Sequence, residues 1–279
     1  MTAKRQFVLA LVQMQSGDSV DANLAAADRL LAEAAAGGAS LAVLPENFAG
    51  MGAHDSYRRE IAEPEGGGPI QDALAEMAQR HGLWLVGGTV PLLDEGRSRP
   101  VAAALVYDSA GERCGRYDKM HLFDVQIPGA DEAYRESTHT APGHLALTVD
   151  LPWGRLGVAV CYDLRFPEHF SRLANEGAEL VAVPAAFTRP TGSAQGSSSA
   201  GPSHRYAGLC RRGGPDRDAS GWAPDLGPFN VGGSLGRGAA RLRGGAGRAA
   251  GRRGYGEAGA PSSEFSGAGA PPRPHRISN

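Results

Sequence analysis

The sequence predicts an α/β fold, and three observations carry that expectation. Short apolar runs alternate with stretches whose apolar residues recur at helical spacing. One apolar run ends at Pro45-Glu46, and Gly37-Gly38 can stop a helix. The alternation holds to about residue 192. Such a pattern suits a layered sheet with helices on its faces. Phe7 to Val12 is a short apolar run that fits a buried strand. From Asp21 to Ala36, Leu24, Ala27, Leu31 and Ala34 fall on one helical face, and Gly37-Gly38 can stop the helix. Leu41 to Leu44 is the next strand, ending at Pro45-Glu46. Ile70 to His81 is a second helical pattern, followed by a strand over Leu83 to Thr89. Ala102–Tyr107 and Arg113–Tyr117 read as a hairpin about Asp108-Ser109-Ala110-Gly111. Gly157 to Val160 is a strand running into Cys161, Glu168 to Glu176 a helix, and Leu180 to Val183 a strand again.

Composition narrows the function classes. A chain of 279 residues with a formal net charge of −2 can bury a sizeable core, and its overall balance calls for neither nucleic acid nor membrane. No stretch approaches the roughly 18 apolar residues of a membrane span. The run after Lys4 and Arg5 is too short for a signal peptide, so the expected compartment is the cytoplasm. Cys114, Cys161 and Cys210 have no metal-ligand spacing and form no disulfide framework. Lys4 and Lys119 are the chain's two lysines, the other basic residues being arginine, which draws attention to Lys119.

Past Gly192 the pattern stops. Residues 193–279 carry 12 Arg against five acidic residues, and their branched aliphatic residues are Leu209, Leu226, Val231, Leu235, Leu242 and Ile277. A segment so poor in branched apolar side chains cannot offset its ordering entropy by burial, so it is expected to be disordered as written. Its arginines are scattered among Gly, Ala and Pro without interleaved aromatics, which does not suit phosphate tracking on nucleic acid. The division expected is therefore a domain over 1–192 and an aberrant tail over 193–279.

Three segments carry chemistry. Leu44-Pro45-Glu46-Asn47-Phe48 puts a carboxylate just past an apolar strand. Tyr117-Asp118-Lys119-Met120-His121-Leu122-Phe123 holds the lysine. Val158 to Glu168 holds Cys161 between a strand and a helix, where the thiolate can be exposed and favoured by the helix N-terminus. Thiol hydrolysis of an amide needs a nucleophile, a proton shuttle and oxyanion donors. The residues suggest Cys161 as nucleophile, Glu46 as general base and acid, and Lys119 as electrostatic stabiliser. The backbone N–H of Tyr162 is the second oxyanion donor. His121 is read as a supporting residue rather than a base. Arg165 and Glu168 are candidates for holding a substrate carboxylate or for a structural ion pair, and Cys114 and Cys210 read as structural or incidental.

These three segments, in this order and with these flanks, resemble the Glu, Lys and Cys motifs of the nitrilase superfamily of carbon–nitrogen hydrolases. Tyr117 to Val125, followed by Ile127-Pro128-Gly129, is most similar to its Nit branch, which includes deaminated glutathione amidase and omega-amidases acting on 2-oxo-acid amides. The resemblance covers roughly residues 6–192. It implies an αββα sandwich, incomplete at the C-terminus, that usually pairs as a homodimer. It also implies cofactor-free, metal-free hydrolysis of a small-molecule amide with release of ammonia. Other branches, cutting nitriles or N-carbamoyl compounds, and an inactive remnant stay open as alternatives. The stretch Tyr134-Arg135-Glu136-Ser137 matches the segment with the branch's second glutamate, so Glu136 would hold Lys119 and help position substrate.

The tail departs from that resemblance, and the genetic code offers a reason. Shifted by one nucleotide, the codons for Ala223 to Asn230 can spell R-P-T-W-G-H-S, and those continuing through Val231 to Ala240 a stretch containing D-P-W-G-E-V-L. Pro202 to Tyr206 can likewise become R-A-I-D. All three strings resemble what Nit-type sequences carry there, so the tail reads as frameshifted, with a true disordered extension as the alternative. The missing third would supply strands to the sandwich and part of the dimer surface, compromising both.

Overall fold

The computed structural model describes residues 6–52, 54, 56–126, 133–186, 205–212, 222–223 and 239–243, the last three stretches as backbone alone. Expectations placed on Ile127-Pro128-Gly129, on the boundary at Gly192 and on most of the tail lie outside the described residues. All described residues belong to the compact unit Met1–Gly247.

Strand β1 (Gln6–Leu11) is followed by helix α1 (Val20–Ala36), β2 (Leu41–Val43), the short α2 (Tyr57–Glu60) and α3 (Pro69–His81). Next come β3 (Trp84–Val86), β4 (Val90–Leu92), β5 (Val101–Tyr107), β6 (Arg113–Asp118), β7 (Asp124–Gln126), β8 (Ala133–Arg135) and a 3-10 turn over Glu136–Thr138. Strands β9 (Thr148–Leu151) and β10 (Gly154–Val158) lead into a 3-10 turn at Cys161–Arg165. Then follow α4 (Pro167–Asn175), β11 (Leu180–Ala186), β12 (Arg205–Arg212), β13 (Trp222–Ala223) and β14 (Ala239–Arg243). Ser19 caps α1 by accepting from Ala22 N, while α3 starts at Pro69 and stops at the left-handed Gly82.

One sheet has the order β14-β1-β2-β3-β5-β4, with β6 also on β5; a second has the order β13-β12-β11-β10-β9. Alternation along the strands sorts the core into layers. Leu9, Leu41, Val43, Ala104, Val106 and Tyr117 of the first sheet meet Val149, Leu156, Val158, Leu180 and Ala182 of the second. The opposite face of the first sheet, with Ala42, Ala103 and Leu105, packs on Ala27 and Leu31 of α1 and Leu74 of α3. Val181 and Val183 turn the other way, onto Phe170 and Leu173 of α4. The layers run helix, sheet, sheet, helix, which is the αββα sandwich.

Strands beyond Gly192 are unexpected from composition. β12 pairs antiparallel with β11 from Leu180↔Arg211 to Ala186↔Arg205, and β14 pairs with β1 from Gln6↔Arg243 to Ala10↔Ala239. The physical reason is that an open strand edge offers a row of backbone donors and acceptors. Pairing with it needs no run of branched side chains, which is what the composition argument weighed.

Parallel pairing of β1, β2 and β3 brings their carboxyl ends to one edge, the place where side chains for binding and chemistry collect in open α/β sheets. There the loop after β2 lies against the loop after β3. Asn47 N donates to Thr89 Oγ1 at 2.8 Å, and Gly88 has φ of 59°. A Cβ on Gly88 would stand 2.1 Å from Pro45 O. Gly88→Ala combines a disfavoured backbone with a clash next to Glu46, and is expected to cost about 2–4 kcal/mol in urea unfolding. A loss below about 1 kcal/mol would show that the two loops are free to part.

Candidate active site

Four strand ends deliver the chemical groups. Glu46 follows β2, Lys119 follows β6, Glu136 follows β8, and Cys161 follows β10. Lys119 is 1% exposed and Glu46 3%. Lys119 Nζ donates to Glu46 Oε1 and to Glu136 Oε2, each at 2.8 Å. Every remaining carboxylate oxygen of the two glutamates is also engaged. Glu46 Oε2 accepts from Ala186 N at 2.9 Å. Glu136 Oε2 accepts additionally from Phe123 N at 2.8 Å, and Glu136 Oε1 from Arg58 Nη1 at 2.9 Å. Buried charges survive only when paired and hydrogen-bonded in this way.

The charges set one another's protonation. Burial alone would lower the Lys119 pKa, but Glu46, Glu136 and Cys161 together raise it above its ordinary value, so the ammonium stays charged. Burial pulls the Glu136 carboxyl upward; Lys119 and Arg58 overcome it and hold the pKa at about 2. Cys161 departs from expectation. Its side chain is buried, and burial and the Glu46 charge push its pKa well up, with Lys119 pulling the other way. The expected exposed thiolate is therefore a buried neutral thiol at rest. The reason lies in the turn: Cys161–Arg165 is a 3-10 turn that separates the sulfur from the first residue of α4. Glu46 is the carboxylate whose charge acts on the sulfur.

Backbone strain marks the same two segments. Among the described residues, the non-glycine positions with positive φ are Asn47 (54°) and Cys161 (45°). Left-handed backbone at a non-glycine residue is uncommon and costs energy that the surrounding fold must supply. Asp163 supplies part of it. Fully buried, it accepts from Val160 N and Tyr117 Oη, each at 2.7 Å, and from His121 N at 3.1 Å. His121 Nδ1 lies 2.6 Å from its Oδ1. One carboxylate thus ties the residue before Cys161 to residues two before and two after Lys119.

His121 stacks on Phe166 at 3.7 Å between ring centroids, which fits a supporting residue. Tyr162 stands edge-on to Phe123 and Phe166, directly after the sulfur. Arg165 and Glu168 are exposed, as is Cys114, whereas Cys210 sits in β12, with its side chain outside the described residues. Sequence reasoning missed Arg58, Thr140 and the Ala186 amide. Arg58 lies in a segment without periodicity, and an amide donor has no residue signature. Asp163 was within a quoted segment, but nothing local signals a carboxylate that braces residues more than forty positions away.

Residues 8–212 match the family described as carbon–nitrogen hydrolase. Deaminated glutathione amidase from Yersinia enterocolitica is 42% identical over 187 residues, covering 67% of this chain and 65% of that protein. Omega-amidase NIT2 from Homo sapiens is 36% identical over 189 residues, covering 67% and 66%. The chain therefore spans just under two thirds of either relative's length. Among solved structures, Saccharomyces cerevisiae Nit3, a member of branch 10 of the nitrilase superfamily, superposes with a TM-score of 0.60 at 29% identity. It covers 68% of each chain. The C. elegans NitFhit protein gives 0.62 at 31% identity, covering 69% of this chain and 47% of that one.

The Glu136 carboxyl has an ordinary value of 4.5 and sits near 2 in the folded chain. A depressed carboxyl stabilises the fold above its ordinary pKa, and this contribution is lost as pH falls through the folded value. Stability of the wild type should fall between about pH 5 and pH 2, and Glu136→Gln should fall less steeply over that range. Urea midpoints measured across this range test it; parallel profiles would show that Glu136 is not held in the ionised state by its cations.

Proposed function

Because the chain belongs to the carbon–nitrogen hydrolase family, we propose that it hydrolyses the amide bond of a small molecule through a thioester on Cys161, releasing ammonia. The observation that carries this reading is Lys119 Nζ at 2.8 Å from both Glu46 and Glu136, next to a buried thiol under strained backbone.

The steps follow from the chemistry of the groups. As Cys161 Sγ attacks the amide carbon, its proton passes to Glu46. The carbonyl oxygen becomes an oxyanion, stabilised by the Lys119 ammonium and the Tyr162 backbone N–H. Glu46 returns the proton to the amide nitrogen, the C–N bond breaks, and ammonia leaves behind an acyl-thioester. Water then attacks the thioester while Glu46 takes its proton. The tetrahedral species collapses to the carboxylic acid, and the proton returns to the sulfur. Glu136 keeps Lys119 in place through both halves.

The substrate class in this reading is a small 2-oxo-acid amide such as deaminated glutathione. It is supported by the names of the relatives and by the match of Tyr117 to Val125 with the Nit branch. Arg165, exposed on the turn after Cys161, is the candidate for the substrate carboxylate. A cytoplasmic location and family-type pairing belong to the same reading, as does a shifted frame over 193–279. Restoring the frame is accordingly expected to raise turnover.

Ammonia release from 2-oxo-acid amides by the frame-restored chain is the direct assay. Cys161→Ala should abolish it, and Glu46→Gln should lower kcat by about 10²–10⁴-fold, both without loss of fold. Turnover retained in Cys161→Ala would remove the sulfur from the mechanism. An undiminished kcat in Glu46→Gln would assign the proton shuttle to another group.

A further inference from the structure

Two buried carboxylates share one ammonium at Lys119, which leaves an excess negative charge in a place closed to water. Burial favours the neutral form of a carboxyl, and a like charge nearby favours it further. Without another cation, burial and the neighbouring negative charge would push the Glu136 carboxyl toward its neutral form, and Lys119 would lose one of its two anchors.

The missing charge comes from α2. Arg58 Nη1 is 2.9 Å from Glu136 Oε1 and 3.0 Å from Thr140 Oγ1. Thr140 is buried, and its N–H donates to Glu136 O at 3.0 Å. The guanidinium is thereby aimed by a closed ring of hydrogen bonds. The helix that carries it is anchored by Tyr57 Oη, which donates to Asp18 O at 2.5 Å. Its own neighbours point elsewhere: Arg59 donates to Ser98 O, and Glu60 accepts from Ser56 Oγ. The charged and titratable groups facing the carboxylate pair are Lys119, Cys161 and Arg58, with Asp124 adding a negative charge beside Glu136. On the outer side of that turn, Arg99 donates to Ser137 O.

We propose that Arg58 is a positioning residue that supplies the second positive charge of the site. It acts through Glu136, keeping that carboxylate ionised so that Lys119 stays anchored between Glu136 and Glu46 beside Cys161. This rests on the amidase reading above. The Arg58 side chain is 33% exposed, so solvent screens it, and its effect is moderate rather than absolute.

The test needs no substrate and uses the chain as it is. The rate of iodoacetamide alkylation at Cys161 is followed against pH by peptide mass, with exposed Cys114 as the internal reference. Removing the Arg58 charge makes the site more negative, which raises the Glu136 carboxyl and the Cys161 thiol together. In Arg58→Gln the Cys161 profile should move to higher pH by about one unit, roughly tenfold slower labelling on its rising limb. Arg58→Lys should restore most of the wild-type profile, and Cys114 should stay unchanged throughout. Thermal melts confirm folding, with Arg58→Met as a second neutral variant if Gln does not fold.

A wild-type pH profile at Cys161 in the neutral variants overturns the role of Arg58 and leaves the amidase reading standing. An equal loss in Gln and Lys variants overturns it too, because it reports packing rather than charge. If wild-type Cys161 never labels in the folded chain at any pH, the nucleophile assignment fails instead.

Discussion

An ammonium closed off from water between two carboxylates is stable only when each charge is paired and hydrogen-bonded, and the region around Lys119 is organised by that constraint. Charge of either sign is costly to bury. The fold therefore has to bring Glu46, Glu136 and Lys119 to one point from three separate strand ends and provide donors for the remaining oxygens. Ala186 N serves the remaining oxygen of Glu46 and Arg58 Nη1 that of Glu136, and each belongs to a different segment. Moving any one of these segments leaves a buried charge without its partner, so the cluster also holds the segments together.

The sandwich makes such convergence practicable. Parallel β1, β2 and β3 end on one edge, while β10, in the facing sheet, delivers Cys161 from the other side. The two sheets meet through apolar side chains such as Val43, Val106, Val158 and Ala182, a packed contact that fixes the distance between the lysine and the sulfur. Asp163 then supplies the fine adjustment. By accepting from Val160 N, Tyr117 Oη and His121 N, it holds the cysteine turn in register with the lysine loop. The strained backbone at Cys161 is affordable because a buried carboxylate and two packed sheets over-determine it.

Much of this was legible in the sequence because local chemistry announces it. Periodicity located α1 and α3, and the run of apolar residues before Glu46 and before Cys161 placed both at strand ends. Glu136 was reached through resemblance rather than through any local signal. The thiol was misjudged in one respect: flanking strand and helix patterns suggested an exposed, dipole-favoured thiolate. The intervening 3-10 turn and the depth of burial make it a buried neutral thiol. Arg58 was invisible because its meaning depends on Glu136, 78 positions away. The strands past Gly192 escaped the composition argument, since backbone pairing along an open edge is blind to side-chain branching.

Whether the buried cluster works as a thioester-forming machine is most directly tested by trapping the intermediate. The frame-restored chain would be mixed with a 2-oxo-acid amide, quenched in acid within the first turnover, and its peptides weighed. The account predicts an acyl adduct on the Cys161 peptide in thioester linkage, with one ammonia released per adduct formed. Ammonia released without any adduct on Cys161, or an adduct carried by another residue, would contradict it.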